Sequence, residues 1–261
     1  MNIHRIFAVL LRHWYNFTHN LDRIVDAFYW PSVDIVLWGL TISALQKQGQ
    51  VMVQQVYVLV FSVILWNIVW RAQGEITVNL LEELWSENIT NLFASPLKVT
   101  EWMVGLSLMS LFKLTLTVLL TSAISLLMYS ANITSLGIML VPMMVTLMLM
   151  GWAFGFFVAG LFLRHGTSVQ TLAWAGAFIL MPFSAVYYPL FTLPLWVQKV
   201  ALFLPSSYIF EGLRTLMQTG VFPMQSLLYS NVLNAIYLSL AILYFFRSFE
   251  KAREKGLGHL K

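Results

Sequence analysis

The chain contains no cysteine. Disulfides and thiolate metal sites are therefore excluded, and the redox state of its compartment leaves no mark on the sequence. Charge is scarce as well: 10% of the residues are charged, against about 25% in soluble domains. Together with 59% hydrophobic residues and a mean hydropathy of +0.76, this excludes a soluble fold and identifies an integral membrane protein. Alternating polar and apolar positions are also missing. The apolar runs are near-continuous and roughly 18–30 residues long, so the expected fold is all-α with membrane-spanning helices and not a barrel. No phosphate-binding G-x-x-x-x-G-K-[ST] loop, G-x-S-x-G elbow or H-E-x-x-H pair occurs, so nucleotide hydrolysis and hydrolytic chemistry by those routes are excluded. The histidines are scattered without a ligand neighbour at helical spacing, and no metal or cofactor is expected on this chain. The formal charge of +4 is no nucleic-acid signal, because the basic residues cluster at span ends. Arg5 and Arg12 break up the N-terminus, so no signal peptide is expected.

In chain order, residues 2–24 carry Ile3, Ile6, Phe7, Leu10, Leu11, Trp14, Phe17 and Leu21 at three- and four-residue steps, which predicts an interfacial amphipathic helix. Spans are expected over residues 27–45, 56–70, 102–129, 136–163, 169–188 and 227–246, six in all. Pro142 and Pro182 predict kinks. Gly151, Gly155 and Ala159 recur at four-residue steps and fit close helix packing within the subunit. Between the second and third spans lies the longest polar interruption. Its Leu80, Leu81, Leu84, Trp85, Ile89, Leu92 and Phe93 form an apolar stripe opposite Glu82, Glu83, Glu87 and Asn91. This predicts a separate acidic helix lying on the membrane surface, followed by an N-cap at Ser95 and a first-turn proline at Pro96. Residues 189–223 are broken by Pro189, Pro194, Pro205 and Pro223 into two helices too short to span, which dip into the membrane or lie on it.

Lysine and arginine accumulate on the cytoplasmic side. Six spans place Arg5, Arg12, Arg23, Arg71, Lys98, Arg164, Arg247, Lys251, Arg253, Lys255 and Lys261 on one side, and Lys47, Lys199 and Arg214 on the other. Both termini and the acidic helix are thus expected in the cytoplasm. Two ionisable groups, Asp34 and Lys113, fall within predicted spans. At about 1.5 Å per residue they lie roughly 10 Å and 17 Å from the inner boundary, a gap that a lysine stem bridges. Two readings stay open: a pair lining a polar translocation path, or a structural pair or snorkelling lysine. A channel wants a polar-lined span and an enzyme wants a clustered acid, base or nucleophile; neither is present.

The order of parts, with LLEELWSENITNLFASPLKVTEW after the second span and YYPLFTLPLWVQKVALFLPSSYIFEGLR before the last, resembles the permease subunit of the ABC-type-2 transporter family. The resemblance covers essentially the whole chain as one transmembrane domain, residues 1–261. It divides into an interfacial helix (1–26), a coupling helix (74–95), an external segment (189–223) and a basic cytoplasmic tail (247–261). It implies an exporter in a bacterial inner membrane, built from two permease copies, as a homodimer, and two separate ATPase subunits that bind the ATP and magnesium. It further implies that Glu82, Glu83, Trp85, Glu87, Asn88 and Asn91 engage the ATPase. Asp34, Trp38, Trp66, Lys113 and Tyr187 would line the path. Leu193, Pro194, Trp196, Pro205, Glu211 and Arg214 would form an external gate. The implied cargo is an amphiphile, lipid or drug, with a polysaccharide or lipid-linked glycan as the rival.

Overall fold

The computed structural model describes residues 1–256; Lys261 of the basic tail lies outside the described residues. Asn2 accepts a hydrogen bond from the His4 amide and caps α1 (Ile3–His19), whose Ile6, Val9 and Phe17 are buried. The expected interfacial helix ends sooner than its apolar repeat, because Asn20 leaves helical geometry and caps α2 (Leu21–Lys47). Pro31 thereby falls in the interior of α2 and not at a helix start.

The largest departure from expectation follows. The second span and the acidic helix are one continuous helix, α3 (Val53–Trp85). Nothing in Gln73–Leu81 breaks a helix except Gly74, which helices tolerate. The stripe Leu80, Leu81, Leu84 continues the buried face of the upstream turns, so α3 extends at about 1.5 Å per residue well beyond a bilayer core. It stops where Glu87 adopts φ 53°, and a short α4 (Ile89–Ala94) follows. Ser95 is extended, as residues before proline are; it ends α4 and does not N-cap the next helix, whose cap is Lys98. The next helix, α5 (Val99–Tyr129), starts beyond it, where Glu101 accepts from the Lys98 amide at 3.0 Å.

After a 3-10 turn, α6 (Leu140–His165) carries Pro142 in its first turn, where the missing N–H is no loss, so the expected kink is absent. The fifth span is reduced to α7 (Leu172–Leu180), ended by Pro182 in a 3-10 turn. Two short helices, α8 (Leu195–Ala201) and α9 (Pro205–Thr219), lead to α10 (Met224–Lys255). The basic tail from residue 247 is thus helical as far as Lys255. Among the described residues, five helical segments are long and apolar enough to cross a membrane; α7 is a shorter apolar helix between them.

Packing explains the arrangement. A Cβ on Gly151 would stand 2.6 Å from the Ala72 Cβ and 2.7 Å from the Val69 carbonyl, so α6 lies against α3 with backbones nearly touching. Gly155 meets Gln73 and Ile76 one turn on. The small-residue stripe therefore packs within the subunit. α7 is held by a side chain inserted among its own hydrogen-bonding groups. Gln73 Nε2 donates to the carbonyls of Leu172 at 3.2 Å and Ala173 at 2.9 Å, and its Oε1 accepts from the Ala177 amide at 3.1 Å. Such an insertion permits a short, interrupted helix where lipid offers no hydrogen bonds.

Gly151→Ala is expected to lower stability by about 1–3 kcal/mol through overpacking. Gly74→Ala, at a helical glycine with open space around it, should stabilise by up to about 1 kcal/mol. Thermal unfolding of both variants in detergent, followed by tryptophan fluorescence, checks the opposite signs.

Candidate functional site

Because α3 is continuous, Arg71, Glu75, Asn79 and Glu82 with Glu83 follow one another at three- and four-residue steps and share one stripe. Each meets a group from another helix. Arg71 donates to the Asp26 carboxylate and to its backbone carbonyl, both at 2.7 Å. Lys113 donates to both Glu75 oxygens at 2.8 Å, and Asn79 donates to the same carboxylate at 2.9 Å. Glu82 pairs with Arg23, and Glu83 pairs with Arg12 at 2.5 Å. Glu101 accepts from the Asn2 amide at 2.7 Å and lies 3.6 Å from Arg5. The N-terminal helix α1 is therefore strapped along its length onto α3 and α5. Beside the stripe, a cavity of about 350 Å³ is lined by Arg23, Asp26, Arg71, Glu75, Glu82 and Lys113 and by Trp70, Trp85 and Trp174.

Three expected roles change in this frame. Lys113 does not meet Asp34; it is buried in a pair with Glu75, a residue the sequence reading passed over as part of the polar interruption. Glu82 and Glu83 are not free carboxylates on an exposed face, since α1 and α2 supply their cations. Trp66 is buried against Phe210 and lines no accessible surface. Of the remaining residues around the α3–α4 turn, Trp85 is exposed and donates to Gln170 at 3.1 Å, Asn88 donates to Glu83 at 2.7 Å, and Glu87 and Asn91 are exposed. Ile89 is buried and Phe93 packs edge-on against Phe249, so α4 is pinned to α10 with Thr90 and Asn91 facing out.

Three ring pairs connect α2 and α3 to α7 and the segment after it. Trp85 stacks with Trp174 at 5.8 Å, Trp70 meets Phe178 at 6.0 Å, and Trp38 stacks with Tyr187 at 4.3 Å between centroids. At the opposite end of the bundle, Glu211 and Arg214 act as a clamp on the segment leaving α7. Arg214 donates to Glu211 at 3.0 Å and to the carbonyls of Ala185 and Val186 at 2.6 and 3.1 Å. Glu211 accepts from the Leu190 amide at 2.7 Å. Pro205 begins α9, its carbonyl bonded by Ser230 of α10. Leu193 and Pro194 form the turn into α8, and Trp196 is exposed beside Phe183.

His13 on α1 is buried with its Nε2 unpartnered. Burial above all, opposed by Glu75 and reinforced by Lys113, pushes its pKa down to about 4.

A model of the family described as ABC-2 family transporter protein matches residues 35–247, from the middle of α2 to the last turns of α10. No curated protein matches the chain.

Lys113→Met leaves Glu75 buried without a counter-charge and should cost about 3–5 kcal/mol; adding Glu75→Gln should recover most of it. Thermal melts of the single and double variants decide this. A histidine whose folded pKa lies below its unfolded value of 6.5 binds fewer protons folded than unfolded. Stability should therefore be flat above pH 6.5 and fall by up to about 3 kcal/mol as pH drops toward 4. His13→Asn should flatten that part of the pH–stability curve.

Proposed function

The chain belongs to the ABC-2 family of transporter proteins, the transmembrane permease component of an ABC transporter, and from that premise we propose that it is one half of an ATP-driven exporter. The observation that carries this reading is the outward face of α2. Buried Ala27, Pro31, Ile35 and Gly39 define its inner side, while Trp30, Leu37 and Thr41 are exposed and Asp34 is partly so. A carboxylate at that depth does not face hydrocarbon; it faces a partner or a water-filled path. A second permease copy, as a homodimer, provides the partner, and the α2–α7 faces of the two copies enclose the path. Both termini and α4 lie in the cytoplasm of a bacterial cell, with the external helices α8 and α9 and the Glu211–Arg214 clamp on the far side of the inner membrane.

Hydrolysis of ATP belongs to two copies of a separate ATPase subunit. That motor grips the turn from Trp85 to Asn91, including Glu87 and Asn88, and the exposed side of α4. Glu82 and Glu83 act there indirectly, by fastening α2 and α1 to the same end of α3. A push on α4 is passed to α5 through the intervening turn and to α10 through Phe93 and Phe249, all in one packed unit. The cargo is an amphiphile, lipid or drug. The ring pairs supply the specific support for the rival cargo, a polysaccharide or lipid-linked glycan, whose sugars stack on aromatic faces.

Thr90→Arg and Asn91→Arg are expected to reduce co-purification of the ATPase roughly tenfold, about 1.4 kcal/mol of binding, with unchanged permease yield. Thr219→Arg, at the other end of the bundle, should leave co-purification intact. A permease that elutes alone in mild detergents with nucleotide present would overturn the exporter reading.

A further inference from the structure

Asp34 differs from every other buried or half-buried carboxylate among the described residues. Asp26 has Arg71, Glu75 has Lys113 and Glu211 has Arg214. No hydrogen bond or ion pair joins Asp34 to any described residue. At about 1.5 Å per residue it stands roughly 12 Å along α2 from Asp26 and roughly 20 Å from Lys47, within the span of a hydrocarbon core. The helices packed on α2 at this level bring no cation: residues 53–70 of α3 and 114–129 of α5 carry no charge. A second copy packed through α2 or α7 brings none either, since residues 24–46 and Leu172–Leu180 contain no basic residue.

The surroundings of Asp34 have a definite chemistry. Trp38 lies one turn further along the same face, stacked on Tyr187 at 4.3 Å and 28°, and Tyr187 is within electrostatic reach of the carboxylate. Leu37 and Trp30, both more than half exposed, extend the face with apolar surface. Aromatic faces and a carboxylate both attract cations, and both gain strength away from water. An anionic head would meet like charge, and a neutral one would gain nothing from the charge.

We infer that this face is a subsite for the positively charged head of a cationic amphiphile, held between the Asp34 carboxylate and the Trp38–Tyr187 ring pair, with the apolar body along Trp30 and Leu37. This rests on the exporter reading and names the charge of its cargo. Release of such a head toward the far side leaves Asp34 unmatched again, so each cycle starts from a carboxylate that favours loading.

Two ions of nearly the same shape and opposite charge provide the test: tetraphenylphosphonium and tetraphenylborate. The full chain in phosphatidylcholine nanodiscs is titrated with each, reading tryptophan fluorescence and subtracting empty nanodiscs. Tetraphenylphosphonium should bind at least tenfold more tightly to the unaltered chain than to Asp34→Asn, Asp34→Glu should retain most of the affinity, and tetraphenylborate should not lose affinity in Asp34→Asn. Matching elution and melting of the variants exclude a folding defect. Equal binding of the phosphonium ion to the unaltered chain and Asp34→Asn overturns the inference. ATP-driven uptake into inside-out vesicles separates the two readings. Absence of any uptake, with Asp34-dependent binding intact, sinks the exporter reading alone. Uptake of a neutral amphiphile that ignores both Asp34→Asn and the phosphonium ion sinks the cation subsite alone.

Discussion

A carboxylate and an ammonium group taken out of water must find each other, and the contact between Glu75 and Lys113 is where this chain meets that demand most severely. Both are under 5% exposed. Their attraction offsets the desolvation of each only with good geometry and further hydrogen bonds, which Asn79 supplies. The pair determines much around it. It needs α3 to remain helical past the apolar core, so that Arg71, Glu75, Asn79, Glu82 and Glu83 share one stripe. It needs α1 to close over it, with Phe17 against the Lys113 ammonium at 5.1 Å and His13 kept neutral nearby. The salt link from Arg12 holds that cover in place, and the link from Arg23 ties α2 beside it. α1, α2 and the end of α3 are therefore one mechanical unit at the charged end of the bundle.

The second organising constraint is backbone satisfaction. A short apolar helix in lipid leaves amides and carbonyls without water, and α7 answers this through Gln73. The same glutamine sits opposite Gly155 and close to Gly176, so the closest approach of α3 to α6 and its grip on α7 occur at one level. Between α7 and α8 the chain has only two 3-10 turns, and Arg214 takes over by donating to the Ala185 and Val186 carbonyls. An interrupted crossing held by two side chains is easier to rearrange than a continuous helix. It lies beside the three ring pairs that join it to α2 and α3.

Composition and hydropathy are sums over neighbouring residues, so the sequence by itself determined the membrane class, the all-helical fold, the ends of α5 and α6 to within a turn or so, and the proline-broken segment before α10. It also made the family legible, through the runs around Leu84–Leu97 and Leu193–Arg214. The acidic stretch reads as a separate helix for a physical reason: an amphipathic stripe on a surface helix and the protruding end of a transmembrane helix have the same period. The fifth span was overestimated because apolar length cannot register a glutamine from another helix. Which charge meets which was decided by tertiary structure alone. Lys113 finds Glu75 across 38 positions and Gln73 reaches Ala173 across 100, contacts that exist only once the helices have packed. Asp34 stood out in the sequence as a carboxylate within a span. Only the packed bundle, in which every cation near it is already taken or absent, left it without a partner.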